Sequence, residues 1–436
     1  MRIALISPRG ELVKSNHAMR EFVYGSEFGA LYRRDLSGIT PGLLVLAALT
    51  PSDIEVEVLD ENVEEIDFDR SYDLIGITGM TQQAVRAYAI ADEFKRRNVR
   101  VVIGGIHATQ LPDEAKLHAD SVVIGEGEYI WPAVLRDLAA NTLQPFYRNS
   151  RPVDLKDSPI PRYDMMKHKT KNRVFWVQST RGCPHDCEFC CASKVFGRTY
   201  RHKPVKAVIA EIAFIKSHCK SFHLHFSDDN LMGSPRYLRE LLGQLAGMKV
   251  FWFGQSDVSV ADHDDILALM QKSGCYCVFI GFDSLSEEGL KSIDASLWKS
   301  RYLPMYKSSI SRIQSYGIGV QGAFIVGLEN DTMETFDRII DFIVESNMYQ
   351  SQITIATPLP GTRLRKRLEQ EGRLLATPWD NYTFSDVNFI HNNLTQQELE
   401  EGLLRVYKSI YAKEVFEKKL RHLKEIQKHL AFDSLK

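Results

Sequence analysis

The segment "RGCPHDCEFC", residues 181–190, places cysteines at 183, 187 and 190 in one short loop. A structural zinc takes four ligands in a closed tetrahedron, and an ordinary iron–sulfur cluster takes four cysteines. Three thiolates leave one metal corner open, and an open corner is where a substrate can bind. Gly182 and Pro184 bend the segment into a tight loop that can give thiolates to three irons of a [4Fe–4S] cluster. The alternative is a zinc knuckle completed by His185 or Cys191. His185 lies inside the loop and Cys191 adjoins Cys190, so neither closes a tetrahedron easily.

Such a loop has to be presented by rigid elements, and the surrounding sequence supplies them. From residue 173 on, apolar runs alternate with helical patterns. The strand candidates are "RVFWVQST" (173–180), "SFHLHFSDD" (221–229), "KVFWFGQS" (249–256), "CVFIGFDS" (277–284), "GVQGAFIVG" (319–327) and "SQITIATPLPG" (351–361). Between them fall "PVKAVIAEIAFIKSH", "PRYLRELLGQLAG", "DDILALMQKSG" and "METFDRIIDFIVES". Six strand–helix units predict most of a parallel barrel, whose full form has eight. The cysteines follow the first of these strands, on the carboxyl-end face where barrel active sites are built.

The first 145 residues show the same alternation, with strands at 2–8, 54–60, 74–80, 99–105 and 121–127. Buried strands alternating with helices predict a doubly wound parallel sheet, whose ligands sit beyond the carboxyl ends of the strands. The stretch from Ser7 to Pro41 is a long insertion after the first strand. Residues 146–172, rich in Pro, Lys and Asp, read as a surface linker. From residue 376 the chain turns polar and helical, ending in the lysine-rich "EVFEKKLRHLKEIQKHL".

Composition excludes several classes. The 436 residues carry a formal net charge of −2, which argues against a general nucleic-acid binder. No apolar run reaches spanning length, and the start "MRIALISPRG" lacks a signal-peptide pattern. The expected location is the cytoplasm, where a tight cysteine cluster binds metal before it forms disulfides. All seven cysteines lie from 183 onward and none beyond 277, which leaves material for one cluster.

The C-x3-C-x-aromatic-C spacing, with Phe189 at the aromatic position, resembles the radical S-adenosylmethionine (radical SAM) superfamily. "HFSDDN", "GFDS" (Asp283 where the family usually has Glu), "GAFIVGLENDT" and "TPLPGTRL" resemble its later strand-end elements. The resemblance implies that Cys183, Cys187 and Cys190 hold the cluster, whose open iron chelates SAM. Reductive cleavage would then yield methionine and a 5′-deoxyadenosyl radical. It also implies a SAM pocket formed by Phe189, Asp229, Gln255, Ser256, Asp283 and Val326, with an electron donor such as flavodoxin or ferredoxin.

The amino-terminal half resembles the branch that carries a cobalamin-binding domain, through "ITGMT" (77–81), "GGIHATQLPDE" (104–114), "GEGE" (125–128) and "PGLLVLAAL" (41–49). The resemblance implies a corrin over Thr78, Met80, Thr81, Gly104, Gly105, His107, Gly125 and Glu126. The D-x-H-x-x-G element that supplies a lower histidine ligand is absent. The expected fold is α/β throughout. A Rossmann-like cobalamin-type domain (1–145) and the linker (146–172) precede a partial (β/α)6 TIM barrel (173–375) and a helical carboxyl-terminal region (376–436). The expected activity is cobalamin-dependent methylation of an unactivated carbon, or phosphorus, in a small molecule or lipid. A non-methylating radical reaction on the same fold is the alternative, and a non-catalytic iron–sulfur or zinc protein a second one. No residue is singled out as catalytic. The aromatics of "FWV" and "FWF" are expected to pack the barrel core.

Overall fold

A computed structural model describes residues 1–26, 41–149, 151–167, 174–219 and 221–428. The middle of the insertion after the first strand, the start of the strand expected at 173 and the end of the helical stretch expected through residue 430 lie outside that set.

The first sheet contains β1 (Arg2–Ser7), β2 (Glu55–Asp60), β3 (Leu74–Thr78), β4 (Arg100–Gly104), β5 (Ser121–Ile124) and β6 (Phe146–Arg148). Its order is β2-β1-β3-β4-β5-β6, and every pair is parallel. The order reverses between β1 and β3, and such a switch point opens a crevice beyond the strand ends. Leu5 and Val102 on one face and Ile6, Ile75 and Ile103 on the other are buried under helices on both sides.

β6 corrects the linker expected at 146–172. Tyr147 is buried between exposed neighbours, donates its hydroxyl to Asp137 (2.7 Å) and accepts from the Gln144 N–H (3.1 Å). Three residues with one inward side chain make no apolar run, which is why the sequence pattern hid this strand. Farther along, Val153, Leu155 and Tyr163 are buried, so the segment packs between the sheets and does not merely cross the surface.

The second sheet contains β7 (Val174–Val177), β10 (His223–Phe226), β11 (Trp252–Ser256), β12 (Cys275–Asp283), β13 (Gly319–Val326) and β14 (Gln350–Ile355) in chain order, all parallel. It is the expected partial barrel. Between β7 and β10, the short antiparallel pair β8 (Thr180–Arg181) and β9 (Arg201–His202) ties off the cysteine loop at its base.

Two carboxyl-terminal helices finish the barrel. Helix Gln396–Ile410 starts at a capping box formed by Thr395 and Glu398. Its Tyr407 hydroxyl accepts from the Ile353 N–H (3.1 Å) and donates to the Ile353 carbonyl (3.0 Å). Tyr411 does the same at Ser351. Backbone groups on the outer edge of β14 are thereby satisfied without another strand. Helix Lys413–Ile426 then runs under the amino ends of the strands: Leu423 lies against Gly319, and Gln427 donates to the Tyr276 carbonyl (2.5 Å).

Candidate active site

The cysteine loop leaves β8 through Gly182, at φ +97°, where a side chain would lie 2.5 Å from the Thr199 carbonyl. Only glycine fits there. Ion pairs pin the rest of the loop from a distant helix, Arg363–Gln370. Arg363 reaches Asp186 (2.8 Å), Arg367 reaches Glu188 (2.8 Å), and the Glu188 N–H donates to the Ile293 carbonyl (2.8 Å). Burial pushes the Cys183 and Cys187 thiols up to about 12 and raises Cys190. Bare, these thiols keep their protons, and binding a cationic centre would drive them off.

The donor set fits a cuboidal cluster. His185, the candidate fourth zinc ligand, is committed elsewhere: its Nε2 lies 3.2 Å from Asp257, and its ring packs 4.5 Å from Trp298. Among the described residues, no three or more His, Cys, Asp or Glu side chains gather around one point as a single ion requires. A cluster makes no such demand, since each thiolate takes its own iron.

Around the loop stand the carboxyl ends of β10 to β13, and the residues expected to hold SAM share this rim. Phe189 is half-buried against the core. Asp229 accepts from the Gly182 N–H (3.0 Å), and burial raises its carboxyl. Gln255 and Ser256 end β11, and Val326 ends β13. Asp228 has a different task. Fully buried, it accepts from the Ser179 N–H and hydroxyl and from the Thr180 N–H, and so locks the chain between β7 and β8. Desolvation pushes its carboxyl up to about 7 against the pull of those donors.

Asp283, expected in the same pocket, ends β12 on this rim and has a partner of its own. A register shift in β12 puts it at φ +61°, and its carboxylate pairs with the buried ammonium of Lys299. Burial would lower the Lys299 pKa, but the Asp283 carboxylate beside it outweighs that and holds the ammonium charged. Nothing in the sequence pattern marked Lys299, which sits on a short helix, Trp298–Tyr302, between β12 and β13.

On the first sheet the expected cobalamin residues also line one rim. Thr78 and Gly104 end β3 and β4, Met80 is exposed and Thr81 is buried. Gly105, at φ +94°, is packed so closely on Thr78 that any side chain would collide with its hydroxyl. Gly125, at φ +90°, has open space where a side chain would stand. His107 is buried, with Nδ1 3.4 Å from Thr81 and Nε2 3.3 Å from Glu114. Burial lowers its pKa, so it stays neutral. These loops fit a flat ligand resting on backbone, and neither His107 nitrogen is free to ligate a metal.

Glu126 does not face outward as a corrin contact would. Its carboxylate receives Arg181 (2.5 Å), Arg201 (2.8 Å) and the Val153 N–H (3.0 Å). Glu128 takes the other arm of Arg181 (2.9 Å). Burial raises the Glu126 carboxyl less than Arg181, Val153 and Arg201 lower it, so it stays ionised. Arg181 immediately precedes Gly182 and Cys183, so this network joins the β5 loop of the first sheet to the root of the cysteine loop. A second junction lies opposite. The Trp379 N–H donates to Glu114 (2.9 Å), and Asp386 accepts from the Lys14, Ser15 and Asn16 N–H groups (2.8, 2.7 and 2.7 Å). The carboxyl-end loops of the two sheets are thus held together at two junctions. Sequence reasoning missed Arg181, because its partners lie too far away in the chain to be seen.

Comparison with known proteins agrees with this layout. A "B12 binding domain" family matches residues 33–135, and the "Radical SAM superfamily" matches 177–343. A domain family of unknown function matches 362–434. The chain is 29% identical over 378 residues to bacteriochlorophyllide d C-12(1)-methyltransferase of Chlorobaculum tepidum, covering 85% of this chain and 82% of that one. It is 27% identical over 370 residues to the hopanoid C-2 methylase of Rhodopseudomonas palustris, covering 82% and 69%. In fold it is similar to the radical SAM methyltransferase TsrM of Kitasatospora setae, solved with cobalamin and a [4Fe-4S] cluster. That match has TM-score 0.70 at 15% identity and covers 94% of this chain and 88% of that one.

Proposed function

The chain belongs to the radical SAM superfamily, in the branch with a B12-binding domain, and from that premise we propose a cobalamin-dependent methyltransferase acting on an unactivated carbon or phosphorus. One observation carries the reading: the cysteine loop and the loops of the first sheet are joined at their roots through Arg181 and Glu126. A methyl carrier on one rim and a radical source on the other would share one substrate between them. When bound, the cluster would supply the electron that cleaves SAM, and cobalamin would carry the methyl group.

The chain's own residues bind and position. Cys183, Cys187 and Cys190 would hold the cluster. Asp229 would receive the SAM amine while its other contact fixes Gly182. Gln255 and Ser256 offer polar atoms to the ribose and methionine ends. Lys299 pairs with Asp283 at the β12 end and fixes its position. Thr78, Met80, Gly104, Gly105 and Gly125 would support the corrin, with Thr81 and His107 beneath them. An electron donor such as a flavodoxin or ferredoxin completes the system. Among the described residues, no helix is long and apolar enough to cross a membrane.

The test is anaerobic reconstitution with iron, sulfide, SAM and dithionite, with and without cobalamin. 5′-Deoxyadenosine should form in both arms, and S-adenosylhomocysteine only with cobalamin. 5′-Deoxyadenosine in both arms without S-adenosylhomocysteine would leave a non-methylating radical reaction, such as a cyclisation, in its place.

A further inference from the structure

The cysteine loop is engaged on three sides and open on the fourth. Its root is tied to the first sheet through Arg181 and Glu126. Asp229 holds the Gly182 N–H from the side of the strand ends. Asp257 and Trp298 engage His185 on another side. The remaining side, made of Pro184, Lys194 and Gly197 to Thr199, is exposed. Gly197 stands there at φ +84° with open space where a side chain would be. Its carbonyl accepts the Cys183 N–H (3.4 Å). A molecule resting on Gly197 is therefore one hydrogen bond from a cysteine of the cluster, with no side chain in the way.

The charge around this opening is lopsided. Asp186, the residue before Cys187, receives three cations: Arg363 (2.8 Å), Lys194 (3.1 Å) and Arg198 (3.7 Å). One would suffice to pin the loop. Arg198 keeps 60% of its side chain exposed and Arg363 keeps 39%. Lys366 follows Arg363 at the spacing of neighbours on a helix face, and it is exposed. Farther along that helix the balance returns, because Arg367 and Arg373 are matched by Glu188, Glu329 and Glu371. The positive excess is thus confined to the opening, on a chain whose formal net charge is −2.

We propose that this opening is the electron port of the enzyme: an acidic electron-carrier protein docks on Lys194, Arg198, Arg363 and Lys366 and passes its electron over Gly197. The inference rests on the radical SAM reading and names the surface and the charge of the partner for that same site. One electron leaves the carrier and enters the oxidised cluster; the carrier is oxidised, the cluster reduced, and no bond forms or breaks. Fixed cations attract and orient an acidic partner over about a Debye length, roughly 10 Å at 0.1 M salt. Electron-transfer encounters bury little surface, which suits a rim of long exposed cations better than an apolar pocket. Arg363 and Lys366 lie on the helix that opens the matched region of unknown function, residues 362–434. Half of the port is therefore a task for that region.

The test uses the full chain with its cluster reconstituted. Two reductants are compared by stopped-flow bleaching of the cluster: reduced flavodoxin, an acidic carrier protein, and reduced methyl viologen, a small cation. The variant is Arg198→Glu with Lys366→Glu, which leaves Arg363 to pin the loop. At low salt it should be reduced by flavodoxin at least about tenfold more slowly than wild type. Its iron content and its reduction by methyl viologen should not fall. Arg198→Lys with Lys366→Arg, which keeps both charges, should stay close to wild type. Raising salt from about 20 mM to about 200 mM should slow wild type and bring it toward the glutamate variant. Equal flavodoxin rates in wild type and glutamate variant would overturn the proposal. So would a flavodoxin that fails to reduce wild type while methyl viologen succeeds. Formation of 5′-deoxyadenosine with methyl viologen separates the two readings. If it forms and flavodoxin reduction ignores these charges, only the port is lost; if it does not form, the enzyme reading falls and the port with it.

Discussion

The two rims of the second sheet are made of the same strands but handle buried charge in opposite ways. On the carboxyl rim each buried charge discussed above has partners. Asp228 takes donors from Ser179 and Thr180, Asp257 from Asn230 and Ser259, Asp283 has Lys299, and Arg181 has two glutamates. On the amino rim Lys419 is buried with no hydrogen-bond partner among the described residues, and its ammonium faces the rings of Tyr411 at 4.6 Å and Phe416 at 6.0 Å. Desolvated charge is costly unless paired. One rim uses that pairing to fix positions for chemistry. The other is a cover, and it carries an uncompensated cost.

The comparison breaks most completely at the cysteines. Replacing Cys183, Cys187 or Cys190 singly by Ala should abolish SAM cleavage and remove the iron chromophore. Cys275→Ala, in the core on the amino side, should leave the iron content intact. Metal analysis of anaerobically reconstituted protein decides it. One zinc per chain with no chromophore would return the loop to the knuckle alternative.

Next in size is the network that ties the rim to the first sheet. Arg181→Ala strands Glu128 in a buried site and leaves Glu126 with Arg201 as its one cation, and breaking such a buried pair costs about 3–5 kcal/mol. Urea denaturation should show that loss, and Arg181→Lys, which keeps the charge but not the fork, should lose less. A change under about 0.5 kcal/mol for Arg181→Ala would mean the two sheets do not depend on this junction.

Asp229→Asn sharpens the comparison within the upper rim. The amide keeps an oxygen for the Gly182 N–H, so iron content should hold. The loss of negative charge should weaken SAM binding about tenfold, equivalent to about 1.4 kcal/mol. Equilibrium dialysis with SAM measures it. Unchanged affinity would reassign the amine contact to another side chain on this rim.

The sequence revealed the upper rim far better than the lower one, for a physical reason. Cys183, Cys187, Cys190, Asp229 and Val326 are set by local spacing at strand ends, and each strand announces itself as an apolar run. Lys299, the partners of Arg181 and the unpaired Lys419 depend on where distant elements land, which no window of residues contains. Asp283 was placed on the correct strand end. Its engagement with Lys299 turns on one register shift in β12, a feature invisible in "GFDS". β6 escaped because a single inward tyrosine carries it. The lysine-rich ending was legible as a helix with a solvated face, but the one lysine it buries was not distinguishable from its neighbours.

That lysine gives the smallest and cleanest test. Burial lowers Lys419 to about 8, well below the usual lysine value. Below pH 8 both the folded and the unfolded chain carry the proton, and folding bears the cost of a desolvated ammonium. Between pH 8 and the ordinary lysine range, the unfolded chain still binds the proton while the folded chain has released it. Stability should therefore rise with pH across that window. The shift alone corresponds to about 3 kcal/mol, and the Tyr411 and Phe416 faces offset part of it. Lys419→Met should then stabilise the protein by about 1–2 kcal/mol at pH 7 and flatten the rise between pH 8 and 10, with iron content unchanged. Urea midpoints of both proteins at pH 7 and pH 9.5 give the answer. A destabilised methionine variant would mean that the two ring faces repay the whole cost of burying the ammonium, and that the lower rim is partnered like the upper.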